Sequence, residues 1–208
     1  GSWKEGKRDG NGVISDELFK CSGYFQDDAL QGQVQGRIIG RAVEPTLDER
    51  TEIMVLEGTV SDGQRTYDKG VYVRIPPLEP VALSSETGCV ILVRKRQGVG
   101  MGSPRVIHDS NDADAWEDWG GRGSHKVQLY EAGELPEASW LGRMLPDTKI
   151  PDHDHAGGEE IFVLEGRIED AQGVAGPGTW IRFPIGFRHA PVSHAEGCVL
   201  MVREGDVV

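Results

Sequence analysis

Apolar residues along this chain come in short bursts rather than helical stripes. GRIIGRAV, EIMVLEGTV, GVYVRIP, CVILVR, HKVQLY, WLGRML, EIFVLEGRI, GTWIRFP and CVLMVR are rich in Val, Ile, Leu, Phe, Trp and Tyr. Clusters of Gly, Pro, Asp and Asn separate them. Runs of roughly 4–8 residues bounded by turn formers indicate antiparallel strands in a sandwich or barrel. Only DADAWEDW (112–119) has the character of a helical turn. The pattern predicts an all-β protein.

The pattern also repeats. EIMVLEGTVSD (52–62) aligns with EIFVLEGRIED (160–170) at an offset of 108. The offset holds at Gly70 and Gly178, Arg74 and Arg182, and Pro76 and Pro184. After a one-residue slip, GCVILVR (88–94) matches GCVLMVR (197–203). Turn and strand residues kept in step over this length indicate an internal duplication. The expected organisation is a domain at 1–97, a Gly-, Asp- and Ser-rich linker at 98–124, and a second domain at 125–208. Good hairpin chemistry explains the repeated VLEG glycines, because a tight turn needs positive φ. It does not explain the histidines.

Those histidines carry the candidate chemistry. PDHDHAGGEEIFVLEG (151–166) puts His153 and His155 two residues apart, so an extended strand points both to one face. Glu159 has the same parity, and Gly157-Gly158 permits a bend between them. His189 lies past a further strand and a turn containing Pro184 and Gly186. Three imidazoles and one carboxylate make a divalent-metal shell with open positions. Glu160 is a rival to Glu159, but it has the opposite strand parity. His108, His125 and His194 read as exposed polar residues.

Charge and composition narrow the partners. Lys and Arg number 22 against 34 Asp and Glu, a net charge of −12. That field repels phosphate backbones and argues against nucleic acid. Three widely spaced cysteines, Cys21, Cys89 and Cys198, form neither a disulfide framework nor a thiolate zinc site. No run approaches the about 18 apolar residues of a membrane helix. The start, GSWKEGKRDGNG, lacks the apolar core of a signal peptide. A cytoplasmic setting without membrane contact is the expectation.

The motifs resemble those of the cupins. That family's first motif is a glycine, five residues, His-x-His, three residues, Glu, six residues and a second glycine. Here it reads DTKIPDHDHAGGEEIFVLEG (147–166). The second motif reads GTWIRFPIGFRHAPVS (178–193). Asp147 replaces the usual first glycine, and Ser193 the usual final asparagine. The resemblance implies a double-stranded β-helix, the cupin jelly roll, duplicated in one chain as a bicupin. It carries the metal ligands to His153, His155, Glu159 and His189. One divalent ion is implied, zinc first, with iron, manganese or nickel as alternatives.

The first half keeps the fold pattern without the ligands. Thr51 stands at the Glu159 position and Val81 at the His189 position. Taking Gly40-Arg41 as the counterpart of Gly142-Arg143, Arg41 to Gly58 spans 17 positions and Arg143 to Gly166 spans 23. The ligand loop is then six residues shorter. A degenerate, metal-free domain is expected.

Residues 125–204 further resemble the cupin domain of the ChrR anti-sigma factors, in EEIFVLEG, the Gly-Thr-Trp-x-Arg strand and Gly-Cys before the last strand. In that family the domain binds zinc and takes part in a response to singlet oxygen, while a separate His/Cys zinc module holds the sigma factor. The module's His-xxx-Cys-xx-Cys motif does not occur in these 208 residues, so sigma-factor binding has no support. The resemblance implies a sensory cupin responding to a small-molecule ligand or oxidant, and a homodimer. The competing class is a mononuclear metal-dependent dioxygenase acting on a small ketone or diketone. No catalytic residue beyond the ligands is assigned, and Arg182 is either a pocket anchor or a surface residue.

Overall fold

The computed structural model describes residues 2–4, 7–15, 19–26, 29–41, 49–97, 104–131, 133 and 137–205, with side chains for 50–95, 104–131, 133 and 137–205. Among these, all regular structure is β except one 3-10 turn, Ala113–Ala115, inside the expected DADAWEDW stretch. The chain divides into two compact units, Gly1–Asn111 and Asp112–Val208.

Unit 1 contains β1 (Ser2–Lys4), β2 (Lys7–Ser15), β3 (Phe19–Gln26), β4 (Ala29–Arg41), β5 (Glu49–Ser61), β6 (Thr66–Asp68), β7 (Val71–Ile75), β8 (Ser84–Gln97) and β9 (Val106–Asp109). They pair antiparallel in the order β1-β2-β3-β4-β8-β5-β7-β9, with β6 on β5. Unit 2 contains β10 (Glu117–Asp118), β11 (Ser124–Tyr130), β12 (Ala138–Met144), β13 (His153–Asp154), β14 (Glu159–Asp170), β15 (Gly173–Ala175), β16 (Trp180–Phe183), β17 (Arg188–His189) and β18 (Val192–Glu204). Its main sheet runs β10-β11-β12-β18-β14-β15, with β16 on β14, and β13 pairs β17 in a separate ribbon.

The sequence repeat is a repeat of register. Ile53, Met54 and Val55 of β5 face Val93, Leu92 and Ile91 of β8. Ile161, Phe162 and Val163 of β14 face Val202, Met201 and Leu200 of β18. Both pairings slip at two places, between Val55 and Glu57 and again after Gly58 in one, between Val163 and Glu165 and again after Gly166 in the other. Strand alternation then sends Ile53, Val55, Ile91 and Val93 into one core and Ile161, Val163, Leu200 and Val202 into the other. Each such side chain contributes about 1.5–3 kcal/mol on burial. The VLEG glycine is required twice for one reason. Gly58 and Gly166 both have φ 67°, and a Cβ would run into the carbonyl of Gly88 or Gly197.

Two expectations change, and the N-terminal stretch adds strands. The segment read as a strandless linker, 98–124, contains β9, which pairs with β7. Four residues between Gly-, Ser- and Asp-rich neighbours give too weak an alternation to read. What holds β9 is specific: the Arg105 guanidinium, just before it, pairs with Asp62 and Glu79 and donates 3.1 Å to the Tyr67 hydroxyl. The polar N-terminal stretch also forms strands, β1 and β2 among them, because ladder hydrogen bonds come from the backbone of any residue but proline. Finally, Gly36-Arg37, not Gly40-Arg41, is the counterpart of Gly142-Arg143. Arg37 faces Val90 as Arg143 faces Val199, and those partners match in the repeat. From Arg37 to Gly58 is 21 positions against 23, so the first half is two residues shorter here rather than six.

Candidate metal centre

The ribbon β13–β17 sets His153 directly opposite His189 and Asp154 opposite Arg188. Arg188 donates to the Asp152 carboxylate at 2.6 and 2.9 Å, closing the ribbon from outside. His155 follows in the turn into β14, where its carbonyl accepts from Gly158 (3.1 Å) and Gly186 (3.0 Å). Glu159 opens β14. His155, Glu159 and His189 are buried and His153 half-buried.

The ligand-type atoms converge. Nε2 of His189 is 3.2 Å from Nε2 of both His153 and His155. Oε2 of Glu159 is 3.4 Å from His189 Nε2 and 3.5 Å from His155 Nε2. The three imidazoles form a group that could hold a metal ion. The outward nitrogens face oxygens, one of them at hydrogen-bond geometry. His153 Nδ1 donates 2.8 Å to the Pro151 carbonyl. His155 Nδ1 lies 3.2 Å from Glu204 Oε1, and His189 Nδ1 lies 3.8 Å from Asp170 Oδ2. At His153 the carbonyl places the proton on Nδ1 and turns the Nε2 lone pair toward the centre, the orientation a cation needs. The Nδ1 atoms of His155 and His189 lie near carboxylates without a hydrogen bond.

The electrostatics favour a cation at this point. Burial raises the Glu159 carboxyl to about 7 against the pull of His155, with Glu204 adding to the rise. Burial and the neighbouring rings of His153 and His155 lower His189 to about 4. Burial opposes protonation of His155 too, but Glu204 and Glu159 outweigh it and raise its pKa. A buried carboxylate oxygen with no hydrogen-bond partner, Glu159 Oε2, facing imidazoles that repel each other's protons, is what a divalent cation would relieve. The donor set, nitrogen with one carboxylate oxygen, suits that group.

The other candidates separate cleanly. Glu160 is buried on the opposite face, 2.9 Å from Arg203 and 3.4 Å from Arg182. Its parity had excluded it, and Arg182 proves to be its ion-pair partner. His194 pairs with Glu169 at 2.9 Å. His108 is half-buried near the Tyr72 ring, and His125 is half-buried in β11. The two departures from the motif are locally sound. Asp147 has φ 54°, the conformation for which glycine is the usual choice and which Asp tolerates. Ser193 Oγ donates 2.6 Å to the Leu145 carbonyl and accepts 3.0 Å from the Thr148 amide, tying β18 to the turn before the ligands. Sequence reading missed Glu204 and Asp170, since only strand register brings residues so distant in the chain to the imidazoles.

Comparison with known proteins follows the geometry. The family described as ChrR Cupin-like domain matches residues 104–208, half of the chain. The chain belongs to this family. No curated protein matches its sequence. Among solved structures it is similar to a putative glyoxylate-induced protein from Pseudomonas aeruginosa, at 15% identity and a TM-score of 0.69, covering 93% of this chain and 79% of that one. It is also similar to pumpkin seed globulin, at 10% identity and TM-score 0.68, covering 97% and 85%. A third is the Cupin 2 conserved barrel domain protein from Leptotrichia buccalis, at 11% identity and TM-score 0.59, covering 94% and 88%. At these identities the likeness shows the fold: a cupin jelly roll, duplicated in one chain. Among the described residues no helix is long and apolar enough to cross a membrane.

Proposed function

We propose that unit 2 is a divalent-cation-binding cupin with a sensory or regulatory role, the metal-bearing half of a bicupin whose first half lacks the site. The observation that carries this is the convergence of three Nε2 atoms and the unpartnered Glu159 Oε2. His153, His155, Glu159 and His189 would hold the ion, zinc first. When bound, the ion supplies Lewis acidity, and iron or manganese would add redox chemistry. The chain's own contribution is orientation: the Pro151 carbonyl fixes the His153 ring, Glu204 lies 3.2 Å from His155 Nδ1, and Phe183, 4.5 Å from the His189 ring, walls the cluster from one side. The family membership supports a regulatory role, since ChrR-type cupins serve one.

A second reading, the mononuclear dioxygenase, is supported by a cavity of about 280 Å³ in the same unit that reaches Glu204. Elemental analysis of protein purified without a metal column separates the two. About one equivalent of zinc with no oxygen uptake supports the sensory reading. Iron, manganese or nickel with oxygen uptake on small diketones supports the enzyme. Metal-free protein that takes up none of these ions on titration overturns both.

A further inference from the structure

The cavity beside the cluster has its own chemistry. Trp119, Lys126, Gln128, Trp140 and the carboxylates Glu131 and Glu204 line it, with Ala138. Lys126, Gln128, Ala138, Trp140 and Glu204 come from β11, β12 and β18, where Gln128 faces Trp140 and Ala138 faces Glu204 in register. Strand alternation sends Trp140 and Ala138 to the apolar core side, so this wall is inside the β-roll. Trp119 closes it from the loop after β10, its ring centroid 6.2 Å from that of Trp140. Gln128 is fixed: its amide nitrogen donates to the carbonyls of Tyr130 (2.7 Å) and Ser139 (3.1 Å). That aims its amide oxygen at Lys126 Nζ, 3.2 Å away. An ammonium has three donors, and this contact uses one. The result is a half-buried cation, held in place by a locked amide, next to two indoles. Glu204 on the same wall is already turned to His155.

We propose that this cavity binds a small planar carboxylate, its ring against the indoles of Trp119 and Trp140 and its carboxylate on Lys126 Nζ. The volume suits a single-ring molecule, at the lower end of the small-molecule range. Glu131 and Glu204 both repel an anion. They lie at the Ala138 end of the strands, whereas Lys126 pairs with Gly142, so the carboxylate sits at the Lys126 end and the uncharged ring extends past the acids. The inference deepens the metal-binding reading but does not require the ion, since the lining residues are not ligands.

The test is a titration of the full chain with benzoate, followed by tryptophan fluorescence and calorimetry, in chelated and metal-replete protein. Benzamide and benzylamine serve as neutral and cationic controls. Saturable benzoate binding, weaker benzamide binding and a roughly tenfold or greater loss in Lys126→Met are expected, from removal of one charge-assisted contact. No saturation with benzoate, tighter binding of benzylamine through the acidic groups, or an unchanged benzoate Kd in Lys126→Met overturns the proposal. Lys126 is half-buried at the cavity wall, so its variant folds; its thermal melting is measured alongside. Benzoate binding without metal uptake sinks the metal reading alone, and metal uptake without benzoate binding sinks this one alone.

Discussion

The two units hold the same strand pair around different polar groups. In both, the residue after the site position is a buried glutamate: Glu52 in β5, Glu160 in β14. In both it faces an arginine on each neighbouring strand, Arg74 and Arg94 for Glu52, Arg182 and Arg203 for Glu160. Glu52 pairs with Arg94 and lies 2.8 Å from Arg50. Burial alone would raise its carboxyl, but Arg94 and Arg50 hold it below the usual range. One residue earlier, on the core-facing side, the units part. Glu159 stands among imidazoles, whereas Thr51 is buried and Val81, at the His189 position, belongs to the apolar core. The ion cluster on one face is common to both units, and among the described residues the metal-type cluster on the other is found in unit 2. Fold maintenance and candidate function therefore occupy opposite faces of a single strand.

That separation can be broken from either face. The largest effect is expected at the site: His189→Ala abolishes metal retention, taking elemental analysis from about one equivalent to none. Val81→His creates no second site, because one imidazole without partners binds weakly; a second equivalent would show that unit 1 keeps more of the site than its residues indicate. On the other face, Glu52→Gln is expected to destabilise by about 3–5 kcal/mol in denaturant unfolding, since it strands buried guanidinium charge. Glu160→Gln should do less, because Arg182 is 41% exposed, and should leave metal content unchanged. Loss of metal in Glu160→Gln would mean the two faces are coupled.

The shared turn gives a smaller effect. Gly58→Ala and Gly166→Ala should each destabilise by about 1–3 kcal/mol, through positive φ and the facing carbonyl. Gly166→Ala should be the worse, as its Cβ comes closer to that carbonyl. Equal, negligible losses would remove the steric account of the repeated glycine.

The smallest effect is a pH dependence confined to unit 2. In chelated protein Glu159 titrates near 7 rather than near 4.5, so its stabilisation is full below about 4.5 and is lost as pH rises through 7. His189 titrates near 4 rather than near 6.5, so its stabilisation is full above about 6.5 and is lost as pH falls through 4. Between about 4.5 and 6.5 the two slopes oppose and the wild type should be nearly flat. Glu159→Gln removes one slope, so its stability should rise by about 1–2 kcal/mol across that window, read from denaturation midpoints at its two ends. A flat profile in the variant would show that His189 is not held deprotonated.

Residue spacing alone made the all-β fold, the duplication and the three histidines legible, because strand alternation and turn glycines leave marks in a linear pattern. It also placed Glu160 on the face opposite Glu159, since parity is a local property of an extended chain. The sequence could not show β9, whose pairing depends on Arg105 reaching Asp62 and Glu79 more than on its own four residues. Nor could it choose between two Gly-Arg pairs four residues apart; only the pairing of Arg37 with Val90 did that. The same holds for the groups that orient the imidazoles. Glu204 reaches His155, and Asp170 reaches His189, because β18 and β14 lie side by side in one register. Which residues form the candidate cluster was thus written locally. Which groups aim them, and which cavity adjoins them, depends on contacts between residues far apart in the chain, and those exist only once the sheet has closed.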